Sequence, residues 1–472
     1  MLKIQKIVTS AVISLCALTF GMFSDVKVLS NAINLEDIVI DVDVSLEQQY
    51  EFTLKSDGTY EISNYIRKLE ENPVFKPSPD IYLPKSYRGK PVTSIGNRAF
   101  NTNNFDYVTG TVNIPSSITS IGDYAFSMGL FTGCNIPESV TSIGISAFQD
   151  TPWLESMRKQ NPVVIVNNIL IDARTASGDV VLPDTLTAVP AYSFYENELV
   201  KSVYIPDSVK VIGEYAFKGC KSLEKFNFPK GITEISKWSF SYCESLSGTL
   251  TIPSNVKTIG NSAFWSCKGL TAINIQNGVT YIGGNAFKFC MKVTDISIPE
   301  SVEVIEGCAF SENRQLKNIV IPKNVKLIGQ GCFRYDYSLD SVTIMNPNCE
   351  IYDDNDTFPG YTDIHGHGIS TAYDYAKKYE RTFTALDQNI KLGDIDGDGL
   401  VDGNDASAVL SAYSKISTGN PHGLSEFQLK AANVNSDELV DADDASLILS
   451  YYSYISTGKA ITFENFISFK KS

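Results

Sequence analysis

Hydrophobic residues recur along most of the chain in one short phrase that returns at a nearly fixed interval. In the copy at 212–217, Ile-Gly-Glu-Tyr-Ala-Phe, an isoleucine lies five positions before the phenylalanine and an alanine directly precedes it. The next phenylalanine of the series comes 23 residues later. A period of this length predicts a solenoid, in which each unit stacks on its neighbours and contacts little else. The phenylalanines of the series are Phe100, Phe126, Phe148, Phe194, Phe217, Phe240, Phe264, Phe287, Phe310 and Phe333.

Each unit also contains a segment in which apolar and polar residues alternate. Phe226 and Phe228 alternate with Lys225 and Asn227, which is the pattern of a short strand with one buried face. Pro229 follows at the strand end, where a missing amide does little harm. The fold is therefore predicted to be mainly β, a leucine-rich-type solenoid of about eleven coils of about 23 residues, with the Ala-Phe pairs inside.

The repeat does not fill this whole region. Residues 151–180 lack the phrase, and we expect a degraded copy there. Residues 33–90 precede the first clear copy and indicate an N-terminal cap that contains a hairpin turning at 56–58. The solenoid is predicted over 91–345, and a C-terminal cap is predicted over 346–388.

The C-terminal cap contains a pair of histidines that suggests a metal site at first sight. His365 and His367 lie in a Gly-rich stretch after the acidic segment 353–356. Their spacing does not match a structural or catalytic zinc set. We therefore favour a polar loop that leads into a cap helix over 370–379.

Four cysteines follow their phenylalanines by three residues in successive units: Cys220, Cys243, Cys267 and Cys290. This placement predicts a stack of small buried side chains. The eight cysteines that remain after residues 1–32 would also allow disulfides in an exported protein. Free thiols are the favoured reading, because nothing in the repeat requires a bond.

The repeated phrase Ile-Pro-x-Ser-Val-x-x-Ile-Gly-x-x-Ala-Phe-x-x-Cys-x-x-Leu resembles the bacterial leucine-rich repeats of the BspA-like class. The resemblance covers roughly residues 50 to 385. It implies a curved, secreted, non-catalytic recognition solenoid.

The N-terminus and the net charge indicate where the chain works. Residues 1–32 carry Lys3 and Lys6, an apolar run and then small residues, which is the pattern of a secretory signal peptide. The alternative interpretation of this segment is a membrane anchor, but its apolar run of about 17 residues is short for a membrane-spanning helix. We expect a secreted protein without membrane insertion after signal removal.

The net charge of −15 argues against nucleic acid as a partner.

Beyond the cap a second, different repeat begins. The segment from Asp405 to Gly419 matches the segment from Asp444 to Gly458, 39 residues later, at most positions. We assign a second domain to 392–460 and a C-terminal tail to 461–472. Each copy starts with an acidic loop and continues as an amphipathic helix.

The acidic loops have the ligand spacing of calcium sites. Oxygen donors at loop positions 1, 3, 5, 9 and 12, with a backbone carbonyl at position 7, are typical of calcium coordination. The second loop has asparagine at two of these positions and Glu438 where glycine is expected, so we predict two calcium ions with weaker binding at the second site. The expected ligands are Asp394, Asp396, Asp398, Leu400, Asp402 and Asp405 in the first loop, and Asn433, Asn435, Asp437, Leu439, Asp441 and Asp444 in the second.

This duplicated loop-helix pattern resembles a type I dockerin. The resemblance implies a secreted protein that attaches to a cohesin module of a cellulosome scaffoldin. The amphipathic pattern of each helix places its apolar residues on one face: Ala406, Val409, Leu410 and Tyr413 in the first helix, and Ala445, Ile448, Leu449 and Tyr452 in the second. The implied cohesin-binding positions are Gly403, Asn404, Ala406, Ser407, Ala442, Asp443, Ala445 and Ser446.

Taken together, these patterns predict a non-catalytic recognition or adhesion protein, associated with the cellulosome and with polysaccharide degradation. The ligand of the repeats stays open between protein and glycan. The alternative is a cellulosomal hydrolase, which would need two carboxylates in one cleft. The expected outward strand positions are mostly small and polar and suit binding or solvation: Asn113, Tyr204, Asn227, Thr251, Asn274, Ser297 and Thr343.

Overall fold

The structure of the protein is a computed structural model. The expected signal peptide and Glu438 lie outside the residues that it describes. Those residues are 46–47, 49–66, 80–101, 105, 108–386, 391–437 and 439–471.

One strand of each coil lies in what we call the long-strand ladder, which is parallel throughout. Its register follows the repeat, so that Thr251 pairs with Asn274 and Asn274 pairs with Ser297. Buried and exposed residues alternate along these strands, as the sequence predicts. The strands are β3 (Ile81–Tyr82), β6 (Thr111–Asn113), β8 (Gly133–Asn135), β12 (Gly178–Val181), β14 (Val200–Tyr204), β16 (Lys225–Phe226), β18 (Gly248–Ile252), β20 (Leu270–Ile275), β22 (Asp295–Ser297), β24 (Asn318–Ile321), β26 (Ser341–Ile344), β28 (Asp363–Gly366) and β29 (Phe383–Ala385).

The isoleucine of the repeated phrase lies in a second, parallel set of shorter strands, the short-strand ladder. The chain therefore makes about 12 turns. The strands of this ladder are β5 (Lys90–Ile95), β7 (Ser120–Ile121), β9 (Ser142–Ile143), β13 (Ala188–Val189), β15 (Val211–Ile212), β17 (Glu234–Ile235), β19 (Thr258–Ile259), β21 (Tyr281–Ile282), β23 (Val304–Ile305), β25 (Leu327–Ile328) and β27 (Glu350–Ile351).

The expected N-terminal hairpin is present and joins the short-strand ladder. Strands β1 (Tyr50–Leu54) and β2 (Tyr60–Tyr65) are antiparallel, and β2 pairs in parallel with β5. The short strand β4 (Ser86–Tyr87) pairs antiparallel with the start of β5. The hairpin thus continues the ladder at the N-terminal end of the solenoid.

The phenylalanines stack ring on ring through the interior. Phe264 lies between Phe240 and Phe287, with ring centroids 5.4 Å away on each side and nearly parallel rings. The stack continues past the predicted end of the solenoid, because Phe358 stacks on Phe333 at 5.5 Å. The predicted boundary at 345 is therefore wrong: β27, β28 and β29 extend the two ladders through most of the segment assigned to the cap.

The stack is interrupted once, where the sequence lacks the phrase. Residues 151–180 are not a degraded strand copy but contain helix α1 (Pro152–Gln160) and an antiparallel hairpin of β10 (Val164–Val166) and β11 (Ile169–Asp172). The Thr151 side chain caps the helix, and proline occupies its first turn. Phe148 packs on Trp153 at 4.6 Å in place of another phenylalanine. The interior is consequently divided into two hydrophobic cores.

The histidine segment is a strand and not a polar loop. His365 lies in β28, between Thr343 of β26 and Thr384 of β29. Its Nε2 atom lies 3.0 Å from Asp363 Oδ2. The expected cap helix follows as α2 (Thr371–Lys378), with the Ser370 side chain as its N-cap. Because β26, β28 and β29 pair consecutively, His365 is part of the long-strand ladder, where its side chain is half-buried between the buried residues Ile364 and Gly366.

The cysteine stack has a specific hydrogen-bond pattern. Each buried thiol donates to the carbonyl oxygen of the phenylalanine in the preceding coil. Cys243 Sγ lies 3.2 Å from Phe217 O, for example, and all eight cysteines in the described part of the chain are free thiols. Each of these carbonyls also accepts from a backbone N–H, so each thiol of the stack adds a second hydrogen bond and forms no disulfide. The other three contacts are Cys220 to Phe194, Cys267 to Phe240 and Cys290 to Phe264.

Two polar residues continue this stack. Asn313 and Asp336 also follow their phenylalanines by three residues, and both are fully buried. Asp336 Oδ1 accepts a hydrogen bond from the backbone N–H of Asn313 at 2.7 Å. Its Oδ2 atom has no hydrogen-bond partner in the part of the chain that the structure describes. Burial raises the pKa of Asp336 well above its ordinary value.

We therefore predict that Asp336 lowers stability as the pH rises. Below the ordinary carboxyl pKa of about 3.9, the residue is protonated in both the folded and the unfolded chain. Above it the unfolded chain loses the proton first, so the free energy of unfolding falls up to the folded-state pKa. Asp336→Asn should raise the free energy of unfolding at pH 8 by about 1–2 kcal/mol and should change it little at pH 4. Urea unfolding at both pH values, with exposed Asp295→Asn as control, checks this. An equal gain at both pH values would contradict it.

The C-terminal region is helical and has its own small core. Its helices α3 and α5 follow the two acidic loops and contact each other. The segment assigned as a tail is wrong in part, because α6 packs into this core through Phe463 and Ile467. The helices are α3 (Gly403–Ser417), α4 (Glu426–Ala432), α5 (Ala442–Ser456) and α6 (Phe463–Lys471).

The helical region contacts the end of the solenoid at Ile369, which packs against the helical core, and at one aromatic side chain of α4. The Phe427 ring of α4 meets the Tyr373 ring edge-on at 5.0 Å and lies 6.2 Å from the Phe383 ring. A side chain at Gly368 would lie within 2.4 Å of Phe427. This glycine is therefore required for the close contact.

Candidate functional site

Three carboxylates converge in the first acidic loop. One oxygen from each of Asp394, Asp396 and Asp398 lies within 4.8 Å of the others, which is close enough to hold one metal ion. The backbone N–H groups of Gly397 and Gly399 donate to the two oxygens of Asp394 at 2.9 and 3.0 Å. The loop therefore curls around the aspartate at its first position.

The last residue of the loop ties it to the following helix. Asp405 Oδ1 accepts from the N–H groups of Ile395 and Asp396, and Asp405 Oδ2 accepts from the N–H of Asp402. Asp402 in turn caps α3 through the N–H of Asn404 at 2.7 Å. Loop positions 9 and 12 thus begin the helix as a reciprocal capping box.

The second loop repeats this arrangement. Asp444 Oδ1 accepts from the N–H groups of Val434 and Asn435, and its Oδ2 accepts from the N–H of Asp441. Asp441 caps α5 in the same way. Each contact matches one in the first loop at a distance of 39 residues, so the two loops are closed by the same hydrogen bonds.

The electrostatics of the first loop suit a divalent cation. Asp394 is buried, and burial raises its pKa above the ordinary value. Asp405 is also buried, and burial raises the pKa of its carboxyl to about 6. Uncompensated carboxylates in a buried position are unfavourable, and a bound cation would offset that cost. Carboxylate and carbonyl oxygens are donors that calcium prefers. Lys391, whose Nζ donates to the Gly399 carbonyl, is the cation beside this loop.

The surface of the two helices differs from the sequence prediction. Ala406 and Ala445 are buried between the helices and are not available to a partner. The other six expected contact positions are exposed or half-buried. Four residues of the predicted apolar face are 41–45% exposed: Leu410, Tyr413, Leu449 and Tyr452.

This exposed surface is itself duplicated. Leu410 and Leu449 occupy the same position in the two repeats, and both line a shallow cavity of about 550 Å³ with Ala442 and Ser446. The sequence carries a signal for this surface. Ala406, Val409, Ala445 and Ile448 form the buried contact between the helices, and both copies have a further leucine, Leu410 or Leu449, outside that contact.

The long-strand ladder presents a polar row to solvent. Thr251, Asn274 and Ser297 are exposed and aligned in register, as the sequence predicts. Asn227 is different: its side chain donates to and accepts from the backbone of Ile205, at 2.7 and 2.8 Å, and so has a structural role. Tyr204 is exposed, whereas the remaining two expected positions are half-buried: Asn113 and Thr343.

Comparison with known families identifies the repeat. The model of the BspA type leucine rich repeat region matches six copies, over residues 48–177, 173–268 and 247–360. The chain belongs to the BspA-type leucine-rich repeat family. The match covers the solenoid up to residue 360 and describes a repeat region. The BspA-type resemblance of the sequence is thereby confirmed.

Solved structures similar to this BspA-type protein come from several bacteria. A leucine rich cell surface protein from Faecalibacterium prausnitzii is 21% identical, covering 69% of this chain and 95% of that chain, with a TM-score of 0.35. The pneumococcal vaccine antigen PcpA is 17% identical, covering 72% and 96%, with a TM-score of 0.40. A leucine-rich repeat protein from Bacteroides ovatus is 21% identical, covering 74% and 100%, with a TM-score of 0.35. The curated proteins give no significant match.

In residues 46–471, as far as they are described, no helix is both long enough and apolar enough to cross a bilayer.

Proposed function

We propose that this BspA-type protein is a secreted recognition protein whose C-terminal region, 392–460, is a calcium-binding module of the dockerin kind. The module would attach the solenoid to a cohesin of a scaffoldin, and the solenoid would bind a protein or glycan. One observation carries the proposal. Three carboxylates at loop positions 1, 3 and 5 converge within 4.8 Å, in a loop whose closing hydrogen bonds recur 39 residues later.

Calcium would be held in the first loop by Asp394, Asp396, Asp398 and the Leu400 carbonyl, with Asp402 and Asp405 at the helix start. The bound ion would offset the negative charge of these carboxylates. The chain's own contribution is the tie between loop and helix, because Asp405 already links both. Ordering of each loop and of its helix is then one event.

The two loops are expected to bind calcium unequally. The first loop offers aspartates at positions 1 and 3, where the second has Asn433 and Asn435, and fewer carboxylates mean weaker attraction. Asp398→Ala should therefore lower calcium affinity more than Asp437→Ala does. Calorimetric titration of the full chain measures both sites, with exposed Asp295→Ala in the solenoid as control. Two equal sites would refute the inequality.

The duplicated apolar surface is where we expect the cohesin to bind. A glutamate at Leu410 or Leu449 would place a charge in an interface that otherwise buries leucine. The double variant Leu410→Glu and Leu449→Glu should bind an immobilised cohesin at least tenfold more weakly. Val211→Glu, at an exposed apolar position of the solenoid, is the matched control. Equal binding by both variants would show that this surface is not the contact.

A further inference from the structure

The interruption of the solenoid leaves two strands of the long-strand ladder, β8 and β12, each without a paired strand on one side. The sheet of β3, β6 and β8 ends at β8, and the next strand of that ladder, β12, belongs to another sheet. The chain between them forms α1 and the β10–β11 hairpin. Hairpin strand β11 contacts β9 and β13 of the short-strand ladder, so the hairpin bridges the gap in that ladder and leaves the gap in the long-strand ladder open.

The backbone of β8 offers one free hydrogen-bonding unit at this edge. Gly133 N–H donates to Gly110 O at 3.0 Å, and Asn135 O accepts from Ile114 N–H at 3.2 Å, so both residues face β6. Alternate residues of a parallel strand direct their N–H and C=O groups to opposite sides. Cys134 therefore directs both groups away from β6. In the part of the chain that the structure describes, neither group has a hydrogen-bond partner.

A pocket opens next to this edge. Its volume is about 390 Å³, which lies within the usual range of ligand pockets. Trp153 and Met157 of α1 form one wall, and Val166 of β10 contributes to it. The opposite wall consists of Ile114 and of residues 134–137. The side chains that line it are apolar apart from Asn135, whose Nδ2 donates to Asn113 Oδ1 at 2.7 Å, and backbone groups add polar surface to the pocket.

We propose that the edge of β8 and this pocket bind an extended peptide segment of a partner protein. The segment adds as a strand to β8, pairs with the N–H and C=O of Cys134, and places one apolar side chain in the pocket. This is strand addition at a sheet edge, in which the main chain provides affinity and a side-chain pocket provides specificity.

The chemistry of the site favours a peptide over a glycan. An extended backbone presents a donor and an acceptor on the same side, which matches the pair on Cys134. The site lies in the solenoid, away from the acidic loops, so the inference stands apart from the proposed attachment to cohesin.

Binding of synthetic peptides to the full chain tests the inference. The probes are fluorescent, end-blocked hexapeptides in which threonine alternates with valine, leucine or phenylalanine. Each is also made in two N-methylated forms, which remove the amide protons of one edge or of the other. We expect at least one probe to bind and to slow hydrogen exchange of the Cys134 amide. One methylated form should lose binding at least tenfold, and the other should keep it.

A variant locates the pocket. Met157→Trp fills the space between α1 and β8 and should weaken probe binding at least tenfold, whereas Met345→Trp, at an exposed methionine of a distant coil, should not. Three outcomes would overturn the inference: no binding by any probe, equal binding by both methylated forms, or equal binding by the two variants. The methylated peptides test the unaltered protein, so the result does not depend on how Met157→Trp folds.

Discussion

Replacing Phe264 with alanine is expected to destabilise the solenoid by about 3–5 kcal/mol. The ring is fully buried, has a neighbour on each face, and also meets the Phe228 ring edge-on at 6.5 Å. Its removal costs the transfer free energy of the side chain and leaves a cavity that two rigid coils cannot close. The midpoint of urea unfolding of the full chain should fall accordingly.

The matched control removes an aromatic ring from the surface of the same solenoid. Tyr82 is 74% exposed, so Tyr82→Ala should change the free energy of unfolding by less than about 0.5 kcal/mol. An unfolding midpoint that is the same for Phe264→Ala and for the unaltered chain would contradict the stacked interior.

Removing calcium is expected to unfold the C-terminal region while the solenoid stays folded. Asp394 accepts hydrogen bonds within the first loop, and Asp405 ties this loop to α3. Both carboxyls are buried, and burial disfavours their charged forms when no metal ion is bound. Calcium at a thousandfold excess over its dissociation constant would stabilise the region by about 4 kcal/mol. The helices of this region have only a small core of their own. Chelation should therefore remove most of their circular dichroism signal.

The solenoid provides the internal control for this experiment. Its stability comes from stacked Ile and Phe side chains, so its melting transition should move little on chelation. Restoring calcium should restore the helical signal. Unchanged helix content in the presence of chelator would contradict the calcium assignment. Loss of the solenoid transition would contradict the independence of the two regions.

The repeating part of the fold could be predicted because one phrase carries the information many times over. The spacing of Ile259 and Phe264 is the same in most coils, so register and burial follow for all of them. The final coil escaped prediction because Phe358 is preceded by threonine and comes 25 residues after Phe333. The ring alone is sufficient for stacking, whereas the sequence pattern required the whole phrase.

The interruption at 151–180 shows a different limit. The start signals of α1, Thr151 and Pro152, are local and can be recognised in the sequence. The sequence did not indicate that Trp153 takes the place of a phenylalanine and ends the first stack of rings. That contact depends on how the helix is positioned against Phe148, which no local signal specifies.

The acidic loops and their helices could be located from spacing, but the helix surface could not. Leu410 and Tyr413 lie on the same predicted apolar face as Val409, but only Val409 is buried. How much of such a face is buried depends on the width of the facing helix. Here α5 presents Ala445 and Ile448, whose small contact area leaves the neighbouring leucines and tyrosines exposed.

The central claim is that calcium-dependent cohesin binding attaches a recognition solenoid. Calorimetric titration of a cohesin panel into the full chain, with calcium and with a chelator, tests it most directly. The account predicts binding of at least one cohesin with calcium, loss of that binding on chelation, and recovery when calcium returns. Cohesin binding that survives chelation, or no binding by any cohesin with calcium present, would contradict it.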